Sequence, residues 1–209
     1  MTPLHREIAA CSACAAKLTH GVRPVVQFST TSRILIVGQA PGSKVHASGI
    51  PWDDRSGDRL REWTGLTPEQ MYDPALVAIV PMGFCYPGKA SGGDLPPRRE
   101  CAPLWHQRVL ATLPADRLTL LVGTYAQAAY LPQTKGWSLA ERVARWAEFA
   151  PLFPLPHPSW RSTMFMRAHP WFEAEVVPGL RTVVAARLRG DMDRMLHCPE
   201  PKNQPFGNR

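Results

Sequence analysis

Two short stretches of the chain, Ile34–Val37 and Leu76–Val80, are apolar without interruption, a third, Leu118–Val122, is broken only by Thr119, and a fourth, Phe153–Leu155, is short and proline-flanked. A strand with one wet face alternates apolar and polar residues; a strand covered on both faces does not. The four stretches therefore predict a buried parallel sheet. Between them the apolar spacing changes to the helical period. Leu60 and Trp63 share a face of a helix capped by Ser56; Cys101, Leu104, Trp105 and Val109 share another; Leu139, Val143 and Trp146 share a third. Residues 170–192 predict a long final helical region interrupted at Pro178. The order β-α-β-α-β-α-β-α predicts an α/β protein, a three-layer α/β/α sandwich with a central four-stranded parallel sheet. Residues 1–196 read as a single domain and 197–209, polar and proline-bearing, as a disordered tail.

Ligands of such sheets bind beyond the carboxyl ends of the strands. The loops expected there are GQAPG (Gly38–Gly42), PMGFCYPG (Pro81–Gly88), GTY (Gly123–Tyr125) and HPS (His157–Ser159). The last opens LPHPSWRSTMFMRAHPWF (Leu155–Phe172), whose prolines predict loop structure and take Met164 and Phe165 off any ordinary helix face.

Net charge changes the picture. The formal charge of +7 points to a polyanionic partner, most often nucleic acid. No apolar run reaches the roughly 18 residues that cross a bilayer. The N-terminus lacks the basic-then-apolar pattern of a secretory leader, so a cytoplasmic monomer is expected, at the nucleoid in a prokaryote. Five cysteines, an odd number, argue against a disulfide framework in that compartment. Cys11 and Cys14 form a C-x2-C pair, Cys85 and Cys101 form a second pair with 15 residues between them, and Cys198 is left over. Four thiolates can hold zinc or an iron–sulfur cluster, and ligand type alone does not choose. Either would staple the N-terminal segment to the loop after the second strand.

Taken together, GQAPG after a strand, SGIPWDDRSGDRLREW (Ser48–Trp63), HPS and the cysteine spacing resemble the uracil-DNA glycosylase superfamily, in particular its iron–sulfur branch, families 4 and 5. The resemblance runs from about Cys11 to about Leu188. It implies a [4Fe–4S] cluster on Cys11, Cys14, Cys85 and Cys101, and a DNA-inserting segment after HPS. The chain departs from family 4 at Gln39, where that family has Glu, at Trp52, where it has a stacking Phe, and near Pro81, where it has an Asn that reads uracil. The preferred base is left open.

Cleaving the bond between base and sugar requires an everted base, support for its departing negative charge, support for a cationic sugar, and a water. His157, stiffened by Pro158 with Ser159 beside it, is the candidate donor to the leaving base. Gln39, with Gly38, Ala40, Pro41 and Gly42, forms a loop able to hold water or touch the base. Asp54, with Asp53 second, is the candidate carboxylate near the sugar. Trp52 is the candidate stacking ring. Arg161 and Arg167 are expected at phosphates, and Trp160, Met164 or Phe165 in the gap left by the base.

Two functions remain in view. One is a monofunctional glycosylase hydrolysing uracil, or other deaminated bases, from DNA. The other is a non-catalytic iron–sulfur protein of the same fold that binds nucleic acid or damaged bases. A nucleotide-dependent enzyme fits less well, because GQAPG lacks the Lys-Ser/Thr pair of a phosphate loop.

Overall fold

The computed structural model of the chain describes residues 2–190, so the expected tail and Cys198 lie outside the described residues. The strands are β1 (Ile34–Val37), β2 (Val77–Ile79), β3 (Lys89–Ala90), β4 (Gly93–Asp94), β5 (Leu118–Val122) and β6 (Leu152–Leu155). The α-helices are α1 (Pro3–Ala9), α2 (Ser43–Ser48), α3 (Arg55–Thr64), α4 (Pro68–Met71), α5 (Cys101–Leu110), α6 (Thr124–Tyr130), α7 (Leu139–Ala144), α8 (Ser162–Ala168) and α9 (Val177–Arg189). Four strands form the expected all-parallel sheet in the order β2-β1-β5-β6.

Successive side chains of each strand point to opposite faces, and both faces are covered. Ile34, Ile36, Leu118, Leu120 and Val122 face a core completed by Leu60 and Trp63 of α3, Val143 of α7 and Leu180, Val183 and Val184 of α9. Leu35, Val37, Ala78 and Leu121 face a second core with Ile8 of α1, Trp105 and Val109 of α5 and Ala126 of α6. The continuous apolar runs thus serve two cores at once, which makes the three layers.

Several details differ from the sequence reading. The second strand is shorter by a residue at each end, and the fourth begins one residue earlier, with Pro154 inside it. Proline is tolerated there because β6 is an edge strand. Leu104 is exposed rather than buried, and His106 joins Trp105 and Val109 on the inward face. The cap of α3 is Asp54, not Ser56; Ser56 supplies one of the capped amides. Pro178 does not interrupt the last helical region, since a π-helical turn at Phe172–Val176 leads directly into α9 with the proline in its first turn. The wider turn lets the helix pass a residue without a donor. Met164 and Phe165 lie on the short helix α8, not in a loop.

Two features escaped the hydrophobic pattern. Gln27 pairs with Ile79 in a single antiparallel bridge along the edge of β2, and its side-chain amide donates to the Met71 and Val77 carbonyls. The β3–β4 hairpin is a two-residue pairing of exposed strands, Lys89 opposite Asp94. Neither is long enough to carry a periodic signal.

At the carboxyl end of the sheet, β5 and β6 are locked where the site begins. The Leu155 carbonyl accepts from the Gly123 amide at 2.9 Å and from the buried Gln127 side chain at 2.8 Å. That fixes the root of the HPS loop. Among the described residues, no helix is long and apolar enough to cross a membrane.

Candidate active site

The four loops at the carboxyl edge of the sheet converge. They enclose a cleft of about 630 Å³ lined by Gly38, Gln39, Ala40, Pro41 and Gly42 of the first loop, by Pro81, by Thr124, and by His157, Ser159, Trp160 and Arg161. Trp52, Asp54 and Phe165 complete much of the wall. Asp53 and Met164 do not line it; Asp53 is exposed on the far side of the turn, and Met164 is 70 % exposed on α8.

Asp54 does two things. One carboxylate oxygen, Oδ1, accepts from the amides of Ser56 and Gly57, both at 2.9 Å, and so caps α3. The other, Oδ2, lies 3.9 Å from the point a Cβ on Gly42 would occupy. Asp94 of the hairpin brings its own Oδ2 to 3.4 Å from the same point. Gly42 therefore lies in contact distance of both carboxylates.

Trp52 has φ 57°, a left-handed conformation that a bulky residue adopts only when its surroundings impose it. Two contacts do so. The Tyr72 hydroxyl donates to the Trp52 carbonyl at 3.3 Å. That carbonyl also lies 1.7 Å from the position of a Cβ on Gly57, so only glycine fits in the first turn of α3. The indole packs on the main core, sits against Gly38, and has its ring centroid 5.7 Å from that of His157 at a 36° tilt. It is both a core tryptophan and a wall of the cleft, while Trp63 and Trp105 are wholly core.

His157 stands at the end of β6, packed against Gly123, whose φ of +86° leaves no Cβ in its way. Burial pushes its pKa below the usual 6.5, and the Asp54 carboxylate only partly offsets this. The imidazole is therefore neutral at physiological pH. Arg59 of α3 reaches across to the turn that follows, donating to the Ser159 carbonyl at 3.0 Å and to the Ser162 hydroxyl at 2.9 Å.

The hairpin crosses the mouth. The Gln39 amide donates to the Leu95 carbonyl at 3.0 Å, and Arg161 donates to the Gly92 carbonyl at 2.5 Å. The guanidinium of Arg161 also lies over the Trp160 ring at 5.2 Å. Arg161, expected at a phosphate, is here tied to protein, whereas Arg167 is exposed. Phe165 is removed from the side chains free to enter DNA, because it packs edge-on against Trp171 and Phe172. Trp160, 72 % exposed, and Met164 remain; Met164 does not pack beneath the final helix. Pro81 turns its carbonyl to His106 Nε2 at 2.8 Å and leaves the cleft without a side-chain amide at this position.

The model of the uracil DNA glycosylase superfamily matches residues 25–181, the span that holds the sheet and the cleft. The chain belongs to the uracil DNA glycosylase superfamily. Membership points to a DNA glycosylase, a hydrolase of DNA repair. The matched span contains every cleft-lining residue named above and begins beyond Cys11 and Cys14. Asp94 and Arg59, which line or brace this superfamily site, were not singled out in the sequence. The Gly92–Gly93 pair signalled a turn beside Asp94. Nothing local marked Arg59, whose partners lie 100 or more positions away.

The four cysteines Cys11, Cys14, Cys85 and Cys101 are free thiols. Among the described residues no three His, Cys, Asp or Glu side chains stand ready to close on a metal ion. Yet the thiols act on one another electrostatically. Cys85 is pushed up to about 11 and Cys101 to about 12, first by burial and, more weakly, by the other cysteines, Cys11 and Cys14 included.

Two outcomes are expected. Gly57→Ala should destabilise the fold by at least about 1–3 kcal/mol in urea unfolding, since the new methyl meets backbone rather than a movable side chain; an unchanged midpoint would contradict the contact. Burial also lowers the pKa of His106. With His106 and His157 both held below 6.5, the unfolded chain takes up these protons more readily, so stability should fall as pH drops below about 6.5. Unfolding midpoints at pH 7.5 and 5.5 check the sign; equal midpoints would refute it.

Proposed function

We propose that the protein is a monofunctional DNA glycosylase that hydrolyses uracil, and other deaminated bases, from DNA. The observation that carries this is the meeting of Gln39, Trp52, Asp54 and His157, drawn from three separate loops, around one cleft. A nucleobase everted from the stack fits a slot of this kind, with an aromatic wall at Trp52 and convergent polar groups at Gln39, Asp54 and His157.

The bond between C1′ and the base nitrogen breaks with its electron pair leaving on the base. The base becomes an anion whose charge collects on its carbonyl oxygen. His157, neutral because it is buried, donates a hydrogen bond to that oxygen; a fixed donor in a dry site lowers the barrier without reorganising. The sugar is left cationic. The free oxygen of Asp54 faces it, favours the positive charge, and accepts a proton from the water that attacks C1′. Its other oxygen is held by two amides, so the carboxylate cannot swing away. The Gln39 side chain, its NH2 committed to Leu95, offers a carbonyl oxygen to that water. The base anion then takes a proton from solvent. Trp52 supplies a ring for the everted base, worth roughly 1–3 kcal/mol on the scale of single-strand binders.

The wall at Pro81 has no amide to read one base edge, which supports acceptance of more than uracil. On the DNA side, exposed Trp160 and Met164 are the side chains placed to fill the vacated stack.

Four cysteines in no disulfide, Cys11, Cys14, Cys85 and Cys101, are the residues that would hold a [4Fe–4S] cluster, the group that the C-x2-C plus C-x15-C spacing of the superfamily's iron–sulfur branch supports. Cys11 and Cys14 come from the N-terminal segment, while Cys85 and Cys101 bracket the segment that contains the hairpin. The cluster would hold these pieces together; the bond-breaking steps need no electron from it.

Single- and double-stranded oligonucleotides carrying uracil, hypoxanthine or xanthine test the proposal through alkali-sensitive breaks at the modified base. Retention of the oligonucleotide without product would instead favour a binding protein. His157→Ala should slow excision roughly 100- to 1000-fold with DNA affinity kept. Asp54→Asn keeps a good helix cap, so it should lose rate and little stability, whereas Asp54→Ala should lose rate and about 1 kcal/mol as well. Equal rates for Asp54→Asn and wild type would remove Asp54 from the chemistry. Metal analysis of the purified protein should find iron and sulfide with visible absorbance; stoichiometric zinc without iron would refute the cluster.

A further inference from the structure

The two groups assigned to the bond-breaking step come from distant parts of the chain. Asp54 stands at the start of α3 and His157 at the end of β6. The backbone hydrogen bonds of the sheet do not set their separation, because α3 lies in a different layer from the strand that carries His157. Something must register the helix against the loop. The core contacts of Leu60 and Trp63 fix α3 on the sheet, but they leave the Pro158–Thr163 turn unsupported from that side.

We propose that Arg59 is a positioning residue for excision: it ties the first turns of α3, and with them Asp54, to the turn after His157. This rests on the function proposed above. One nitrogen of its guanidinium, Nη1, makes all the contacts. It donates to the Ser159 carbonyl at 3.0 Å, to the Ser162 hydroxyl at 2.9 Å and, more weakly, to the Thr163 hydroxyl at 3.5 Å. The turn is closed upon itself. The Ser159 amide donates to the His157 carbonyl at 2.9 Å, and the Ser162 hydroxyl donates to the Ser159 carbonyl at 2.7 Å. Ser162 is buried. A shift of Arg59 is therefore passed through Ser159 to the backbone of His157, with no loose side chain between them.

The partners are neutral, a carbonyl and two hydroxyls, so the arginine brings a charge-assisted bond to a turn rather than neutralising an acid. A basic residue near a DNA-binding cleft invites a different explanation, that it holds a phosphate. Arg59 is half-buried and pointed into protein. The planar fork of arginine is also not used as a fork, since the contacts converge on Nη1. A lysine ammonium, a point donor with three protons, can serve the same acceptors.

The test compares Arg59→Met, which keeps an apolar stem, with Arg59→Lys. Single-turnover excision is measured on the base that the wild type cleaves. Affinity and its salt dependence are measured on the same duplex carrying a 2′-fluorinated nucleotide that resists cleavage. Imidazole resonances of His157 are recorded by NMR in each variant. Arg59→Met should slow excision roughly 10- to 100-fold, the usual result of a misplaced reacting group, with affinity and salt slope unchanged. Arg59→Lys should restore the rate to within a few-fold. The His157 resonances should move in Arg59→Met and return in Arg59→Lys. Ser162→Ala, which leaves Arg59 intact, should slow excision by a smaller factor and serves if Arg59→Met does not fold. Weaker binding with a salt slope lower by about one would make Arg59 a phosphate ligand and overturn the inference. So would an unchanged rate, failure of lysine to rescue, or unmoved His157 resonances. Absence of excision by the wild type would overturn the glycosylase reading instead, and the NMR comparison would still decide the role of Arg59.

Discussion

The cap that Asp54 places on α3 is the contact on which the cleft depends. A helix begins with amides that have no partner in the helix, and something must accept from them. Here the acceptor is one oxygen of a carboxylate whose other oxygen faces the cleft. The same cap holds the peptide of Trp52 close above the first turn, where Gly57 alone leaves room for its carbonyl. Helix formation thus orients a carboxylate and forces an indole into a left-handed backbone conformation in one event. Trp52 carries that strain because Tyr72 and Gly57 leave its carbonyl one place to go.

From this anchor the rest of the site is a matter of support. Gly38 leaves room for the Trp52 ring, which a Cβ there would meet at 3.0 Å, and Gly123 beside His157 supplies a φ of +86° that favours glycine. Burial keeps His157 neutral, and a nearby carboxylate pulls the other way without prevailing. Arg59 braces the loop from α3, and the hairpin braces it from the opposite side through Arg161. A positively charged chain has in this way committed two arginines of its cleft to internal bonds. Under the proposed function its attraction for DNA would come from others, and Arg167 is exposed.

The cysteines stand outside the cleft yet are joined to it by the chain. Residues 85 and 101 bracket the segment that includes β3, β4 and Asp94, and that segment touches both Gln39 and Arg161. Two-residue strands cannot hold such an arm in place alone. A group that gathers Cys11, Cys14, Cys85 and Cys101 would fix both ends of it, which gives the cysteine spacing a physical purpose distant from the reacting bond.

The sequence by itself determined the layers. Strand runs that do not alternate with polar residues require cover on both faces, and β1 and β5 fall on the residues where the pattern put them. It also determined which loops matter, because strand ends in a parallel sheet collect ligands, and GQAPG and HPS meet there. Tertiary structure decided the rest. The pattern could not show that Asp54 rather than Ser56 caps α3, since both are good caps two residues apart and only the packing of Gly57 under Trp52 selects between them. It could not show that Phe165 packs against the core while Met164 is exposed, because a seven-residue helix has too few turns to reveal its buried face. Arg59 carries no local mark, and the Gly92–Gly93 turn signal beside Asp94 says nothing of the cleft. Their roles exist only where chain segments far apart in sequence come within hydrogen-bond or contact distance, and that distance is a property of the folded core.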